Sequence, residues 1–247
     1  MEPITQMIIY FLIGLLAGFM SGMFGIGGGS VRIPLLNLAG LPLLTAFGIN
    51  LLVIPYSSLV GAISQRKNID WKIAFYMIIG GTLGSLIGAF LAGLIPTLVL
   101  AIIFVVTAFI TVFGMYLDRI APRFAQKINP SSKSIITGAF CLNLITGLRG
   151  GSGGSLFPPF LKTMKLDIHR AIATSLFVTI FTSISAVFIY WNRGDIIWIP
   201  ALFVLIGAMI GARIGSKVSL KTKPFWLEIG LIVFIIALAL ITIYKAI

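Results

Sequence analysis

Apolar runs long enough to cross a bilayer recur along the chain at about 6–24, 45–64, 72–95, 97–117, 134–149, 170–191, 195–216 and 224–245. A transmembrane helix needs roughly 20 apolar residues. The runs show no two-residue alternation and are too long for barrel strands. Helices are then the remaining way to satisfy backbone groups in lipid. Composition agrees: 59% of the residues are hydrophobic, 10% are charged, and mean hydropathy is +1.12. That leaves too little polar surface to clothe a soluble globule. The expected fold is all-α, a polytopic integral membrane protein with the lipid bilayer as its solvent.

Charge sets the expected orientation. Eighteen Lys and Arg against six Asp and Glu give a net charge of +12. On a soluble chain that excess would suggest nucleic acid, but cytoplasmic loops of membrane proteins carry the same bias, so no nucleic-acid partner is expected. The cations cluster at Arg66, Lys67 and Lys72; at Arg119, Arg123, Lys127 and Lys133; at Lys162, Lys165 and Arg170; and at Lys217, Lys221 and Lys223. With all four clusters inside, 72–95 and 97–117 form a hairpin turning outside at Ile95-Pro96-Thr97, and both termini lie outside the cytoplasmic membrane. No Lys or Arg precedes Arg32, so the first run reads as a retained segment rather than a secretory signal. The single Cys141 excludes an intrachain disulfide. One histidine without a Cys/His cluster argues against a zinc or haem site, so neither metal nor cofactor is expected.

The chain also matches itself. Gly25-Ile26-Gly27-Gly28 aligns with Gly151-Ser152-Gly153-Gly154, and AFGINL (46–51) aligns with AIATSL (171–176). Asp70 aligns with Asp195, and Gly80, Gly84 and Gly88 align with Gly207, Gly211 and Gly215. Equivalent loops carry opposite charge: the basic turn 66–72 matches the nearly neutral Arg193–Asp195, and the uncharged turn at Pro96 matches the lysine-rich 217–223. Opposite bias predicts opposite orientation, which is an inverted-topology repeat. The expected division is a first repeat at 1–117, a cytoplasmic linker at 118–133 and a second repeat at 134–247. Each half needs an odd number of crossings, either five or three plus a re-entrant hairpin.

Two glycine-rich stretches, GIGGGSVRIP from Gly25 and GLRGGSGGSLFPP from Gly147, interrupt this apolar chain. Neither has the GxGxxG or GK[ST] spacing of a nucleotide loop. Loose backbone at membrane depth is tolerated where it lines a cavity or packs in protein, and paired broken helices near the midplane form the substrate site of inverted-repeat transporters. The stretches are expected to meet there as Gly-broken helical hairpins. Gly25, Gly27, Gly28, Gly29 and Ser30, with Gly151, Ser152, Gly153, Gly154 and Ser155, would offer backbone donors at helix N-termini, which favour anions. Arg149 precedes the second break and is the main expected countercharge, since a buried arginine is costly without an anionic partner. The competing reading is tight helix packing, with Arg149 paired to carbonyls. Arg32 either adds charge or snorkels to a headgroup, and Arg213 is expected to snorkel. Asn50, Thr174 and Ser175 would hydrogen-bond either the ligand or neighbouring helices. The hydroxyl-rich 174–185 segment suggests a wet face. The Gly-x3-Gly rows suit internal packing, with a homodimer contact as the alternative.

In GLLAGFMSGMFGIGGGSVRIPLL, its echo GLRGGSGGSLFPPFL, the AFGIN–AIATS pair and the Gly-x3-Gly helices, the chain resembles the sulfite exporter TauE/SafE family over about residues 8–245. The second motif departs from the first in having Ser155 where Gly29 stands, and in its Pro158-Pro159 pair. The resemblance implies an inner-membrane transporter of small sulfur-containing anions, such as sulfite or sulfoacetate, in a family whose members vary in cargo and direction. The expected function is a secondary transporter of such anions, working by alternating access and exporting. An anion channel, or a carrier of other small organic anions, is the alternative. An intramembrane enzyme would need paired acids, a Ser/His arrangement or metal ligands within the spans, and none is legible.

Overall fold

The computed structural model describes residues 3–92, 94, 96, 99, 102, 106, 109, 113, 120–125, 130–148 and 150–246. Most of the expected span 97–117, much of the linker and Arg149 lie outside the described residues. Among those residues the chain is helical, with no strand. The first half contains α1 (Pro3–Phe24), α2 (Gly29–Leu38), α3 (Leu43–Ser64) and α4 (Trp71–Leu91). The second contains α5 (Ser132–Gly147), α6 (Phe157–Thr163), α7 (Ile168–Asn192), α8 (Trp198–Lys221) and α9 (Pro224–Ala246). Helices α1, α3, α4, α7 and α8 are long and apolar enough to cross a membrane. At 1.5 Å per residue the 22 residues of α3 extend about 33 Å, against a hydrocarbon core of about 30 Å.

Helix starts are marked by the few polar residues available. Asp70 caps α4 by accepting from Ile73 N at 3.0 Å, and Asp167 caps α7 by accepting from Arg170 N at 3.0 Å. Ser131 and Ser134 form a reciprocal capping box at the start of α5. Each arrangement satisfies backbone donors that the first helical turn leaves free.

The two halves are intertwined rather than set side by side. Gly14, Gly18 and Gly22 of α1 press on Val204, Ala208 and Ala212 of α8, while Gly207, Gly211 and Gly215 receive Phe11, Leu15 and Phe19 in return. The same contact recurs in mirror assignment, where Gly80, Gly84 and Gly88 of α4 take Ile136, Phe140 and Leu144 of α5. Lipid supplies no hydrophobic drive between helices, so close backbone approach through small residues carries the association. These faces are filled from within the chain, which leaves no room on them for a second copy.

The same contacts give helix directions. α1 runs parallel to α8, and α4 parallel to α5, because contacting residues rise together in number. Gly48 lies beside Asp195 and Gly61 beside Ser216, so α3 is also parallel to α8. Asp70 meets Thr174 and Gly81 meets Thr182, so α4 is parallel to α7. Ser58 meets Thr179 and Phe47 meets Tyr190, so α3 and α7 are antiparallel. Thus α1, α3 and α8 point one way and α4, α5 and α7 the other, and the matched pairs α1 and α5, α3 and α7, and α4 and α8 point in opposite directions.

One end of the bundle gathers Arg66, Lys67, Lys72, Lys133, Lys162, Lys165, Arg170, Lys217, Lys221 and Lys223. The opposite end holds the turns at Gly40 and Ala92, Arg193 paired with Asp195 at 3.0 Å, and Lys245 in the last turn of α9. Lys162 pairs with Glu228 at the basic end, tying α6 to α9.

A Cβ on Gly84 or Gly211 would collide with a carbonyl of the facing helix. Gly84→Ala and Gly211→Ala should each cost about 1–3 kcal/mol through overpacking, read as a lowered thermal midpoint of the detergent-solubilised protein.

Candidate functional site

The site is built where the two glycine stretches touch. α1 ends near the basic end, where Gln65 Nε2 donates to Gly22 O at 2.9 Å and Ser175 Oγ donates to Gly25 O at 2.6 Å. The chain then doubles back into the bundle. Gly28 takes φ 75°, a left-handed conformation that side chains rarely adopt, and initiates α2. Gly29 lies against Asn50 and Gly27 beside Ile54, so α2 begins level with the middle turns of α3.

The second stretch arrives at the same depth from the other half. Gly153 N donates to Thr146 Oγ1 at 2.7 Å, and Thr182 Oγ1 donates to Ser152 O at 3.3 Å. Thr182 lies in the middle turns of α7, and the α6 that follows accommodates Pro158 and Pro159 in its first turn, where missing N–H groups cost nothing. Backbone meets backbone between the stretches: a Cβ on Gly154 would fall 2.6 Å from Ile26 C. One on Gly27 would reach within 3.6 Å of Ser152 Oγ.

Asn50 joins the stretches to a cation. Its Nδ2 donates to Gly150 O at 2.7 Å, and its Oδ1 accepts from Arg32 Nη1 at 2.7 Å. Arg32 is 0% exposed. Snorkelling, one of the two fates open to it in the sequence, does not occur, because α2 starts at mid-depth and Arg32 stands in its first turn, facing Asn50. A guanidinium carries five N–H donors. Nε and Nη2 of Arg32 have no acceptor among the described residues, and Ser152 Oγ likewise has no partner. The Nη2 atom borders Gly28 while Ser152 borders Gly27, so the unpartnered donors flank consecutive residues of one loop. Burying a cation with only neutral acceptors, Asn50 Oδ1 and a long contact to Asn50 O at 3.5 Å, is costly, and an anion at this point would remove the deficit.

The remaining expected residues fall in three places. Gly27, Ser152 and Gly154 meet across the contact; Gly25, Gly28 and Gly29 border Ile172, Ala17 and Asn50, Gly151 and Gly153 border Thr146 and Asn143, Ser155 is buried, and Ser30 is half-buried in the first turn of α2. Asn50 and Ser175 bond the opposite half's stretch, one at Gly150 O and the other at Gly25 O, a reciprocal arrangement. Thr174 does not join them; its Oγ1 accepts from Asp70 N at 3.0 Å near the basic end. Arg149 lies outside the described residues.

Sequence reasoning did not single out Asn143 and Thr146. Asn143 Nδ2 donates to Gly81 O at 2.9 Å, and Thr146 receives Gly153 N, so α5 supports the second stretch from below. Their counterparts under the repeat, Ala17 and Met20, are apolar, so internal symmetry offered no hint. The available signal was a pair of polar residues three apart in an otherwise apolar span.

The chain matches the family model described as "Sulfite exporter TauE/SafE" over residues 10–242. It is 29% identical to "Probable membrane transporter protein YdhB" of Bacillus subtilis, covering 82% of this chain and 84% of that protein. It is 26% identical to "Probable membrane transporter protein YunE" of the same organism, covering 81% and 84%. A "Probable membrane transporter protein" of Haemophilus influenzae is 26% identical, covering 77% and 75%. No solved structure matches the chain.

The hydrogen bonds separate support from function. Asn50→Ala strands a buried Arg32 donor and the Gly150 carbonyl, and should cost about 1–3 kcal/mol. Ser152→Ala removes a hydroxyl without a protein partner and should change stability by less than about 0.5 kcal/mol. Thermal unfolding of the two variants checks the contrast.

Proposed function

Because the chain belongs to the sulfite exporter TauE/SafE family, whose members it resembles as membrane transporters, we propose that it carries small sulfur-containing anions, sulfite or organosulfonates such as sulfoacetate, across the cytoplasmic membrane by alternating access. The observation that carries this reading is Arg32, fully buried at the meeting of the glycine stretches with two guanidinium nitrogens unpartnered among the described residues.

The chemistry suits an oxyanion. Sulfite and sulfonates present several acceptor oxygens on one centre, and Arg32 Nε and Nη2 offer the parallel pair of donors that such groups accept. Ser152 Oγ supplies a third donor, and the N–H groups of Gly29 and Ser30 at the start of α2 add the favourable end of a helix dipole. Arg149, immediately before Gly150 in the second stretch, is the proposed second cationic contact. With Arg32, Asn50 and Ser152 almost wholly buried, the site is closed to both ends in this conformation, and access requires the halves to move.

Opposed helix directions in the matched halves support an inverted-topology repeat, in which the two access states are related by exchange of roles between halves. The positive-inside rule assigns the basic end to the cytoplasm, which places the start of α1 outside. Export is the proposed direction.

Sulfite-dependent thermal stabilisation and sulfite transport in proteoliposomes test the reading. Arg32→Gln should abolish both, and Ser152→Ala should weaken binding by about tenfold, the scale of one hydrogen bond to a charged group. Undiminished sulfite binding in folded Arg32→Gln would overturn the assignment.

A further inference from the structure

The two ends of the bundle are closed by different chemistry. Beyond the site, away from the basic end, closure is aromatic and aliphatic: Phe47 meets Tyr190 edge to face at 6.5 Å, within a cluster of Leu51, Ala89, Ala92 and Ala186. Toward the basic end a row of buried hydroxyls runs down one face of α7. Thr182 bonds Ser152 O, Thr179 bonds Ser58 Oγ at 3.0 Å, and Ser175 bonds Gly25 O. Two of these three bonds cross between the halves. At the foot of the row Arg170 Nη2 meets Asp70 Oδ2 at 2.6 Å, again across the halves, while Asp70 N donates to Thr174 Oγ1.

We infer that the ligand's path between the buried site and the basic end runs along Thr182, Thr179 and Ser175 against Ser58 of α3, and that the Asp70–Arg170 ion pair latches its mouth. This rests on the site proposed above. Each hydroxyl of the row can rotate from its present acceptor to donate to a passing anion, which carbon-lined packing cannot do. Ser152 Oγ, unpartnered and 3% exposed, joins the head of the row to the Arg32 site. Opening this end breaks hydroxyl bonds and one ion pair whose arginine side chain is 49% exposed, all individually weak, and parts the apolar contacts of Ile172 and Leu176 beside the row. Opening the other end would expose a packed apolar cluster.

Cysteine accessibility tests the path. On a Cys141→Ser background, Thr179→Cys and Ser58→Cys report from the row. Phe181→Cys, on an exposed face of α7, is the control. A charged, membrane-impermeant methanethiosulfonate is applied to inside-out and right-side-out vesicles. The row cysteines should react from the cytoplasmic face, faster than Phe181→Cys, and sulfoacetate, which unlike sulfite does not attack the reagent, should slow them. Adding Arg170→Gln should raise their rate about two- to fivefold, the scale of one partly exposed ion pair, with the difference shrinking as salt rises. Reaction from the outer face, rates no faster than Phe181→Cys, or no response to Arg170→Gln would overturn the inference. If either reporter fails to fold, the other decides. Sided reaction without protection by sulfoacetate keeps the path and sinks the sulfur-anion reading instead.

Discussion

Asn50 holds the centre of this protein together. Its amide fixes the Arg32 guanidinium with one atom and the Gly150 carbonyl with the other. A buried cation, the start of α2 and the opposite half's glycine stretch are therefore positioned by a single side chain. In a medium without water to compensate, an amide with both ends committed is a strong constraint, since either lost bond leaves a polar group stranded. Ser175 repeats the device from the other half on Gly25 O. The glycines allow the backbones to approach closely enough for these bonds to form.

Around that knot the halves exchange helices. Each half lends its first helix to the Gly-x3-Gly face of the other, so neither half buries its own small-residue row. The arrangement keeps the two outer pairs, α1 with α8 and α4 with α5, rigid through backbone contact. α3 and α7 meet between them through Ser58–Thr179 and Phe47–Tyr190. In the proposed alternating-access cycle, motion would fall most easily on the hydroxyl-bonded contacts of α3 and α7, where bonds can be re-formed with a ligand.

Legibility in the sequence followed from how local the cause was. The glycine stretches and their meeting were readable because an internal repeat records both members. Arg149, favoured as countercharge by its place beside a glycine stretch, lies outside the described residues. The burial of Arg32 was not legible, because Arg32 stands beyond Ser30 with a membrane face within reach. What removed that escape is the doubling back after Gly25, which puts the first turn of α2 at mid-depth beside Asn50. Of the two partners open to Thr174, ligand or neighbouring helix, the structure shows the second: adjacent to Ser175 in sequence, it accepts from Asp70 N at the start of α4. Asn143 and Thr146 act only by contact with Gly81 and Gly153, and no local pattern announces such partners.

By itself the sequence determined that this chain is a bundle of membrane-crossing helices, because runs of apolar residues of bilayer length admit no other backbone solution in lipid. It also determined that two broken segments are equivalent, because a repeat is a property of the residue string. Which cation lies buried, which hydroxyls face each other across the halves and which end is closed by polar bonds were decided only by tertiary structure. Those outcomes depend on helix depth and rotation, which are set by where small-residue faces interlock between segments far apart in the chain.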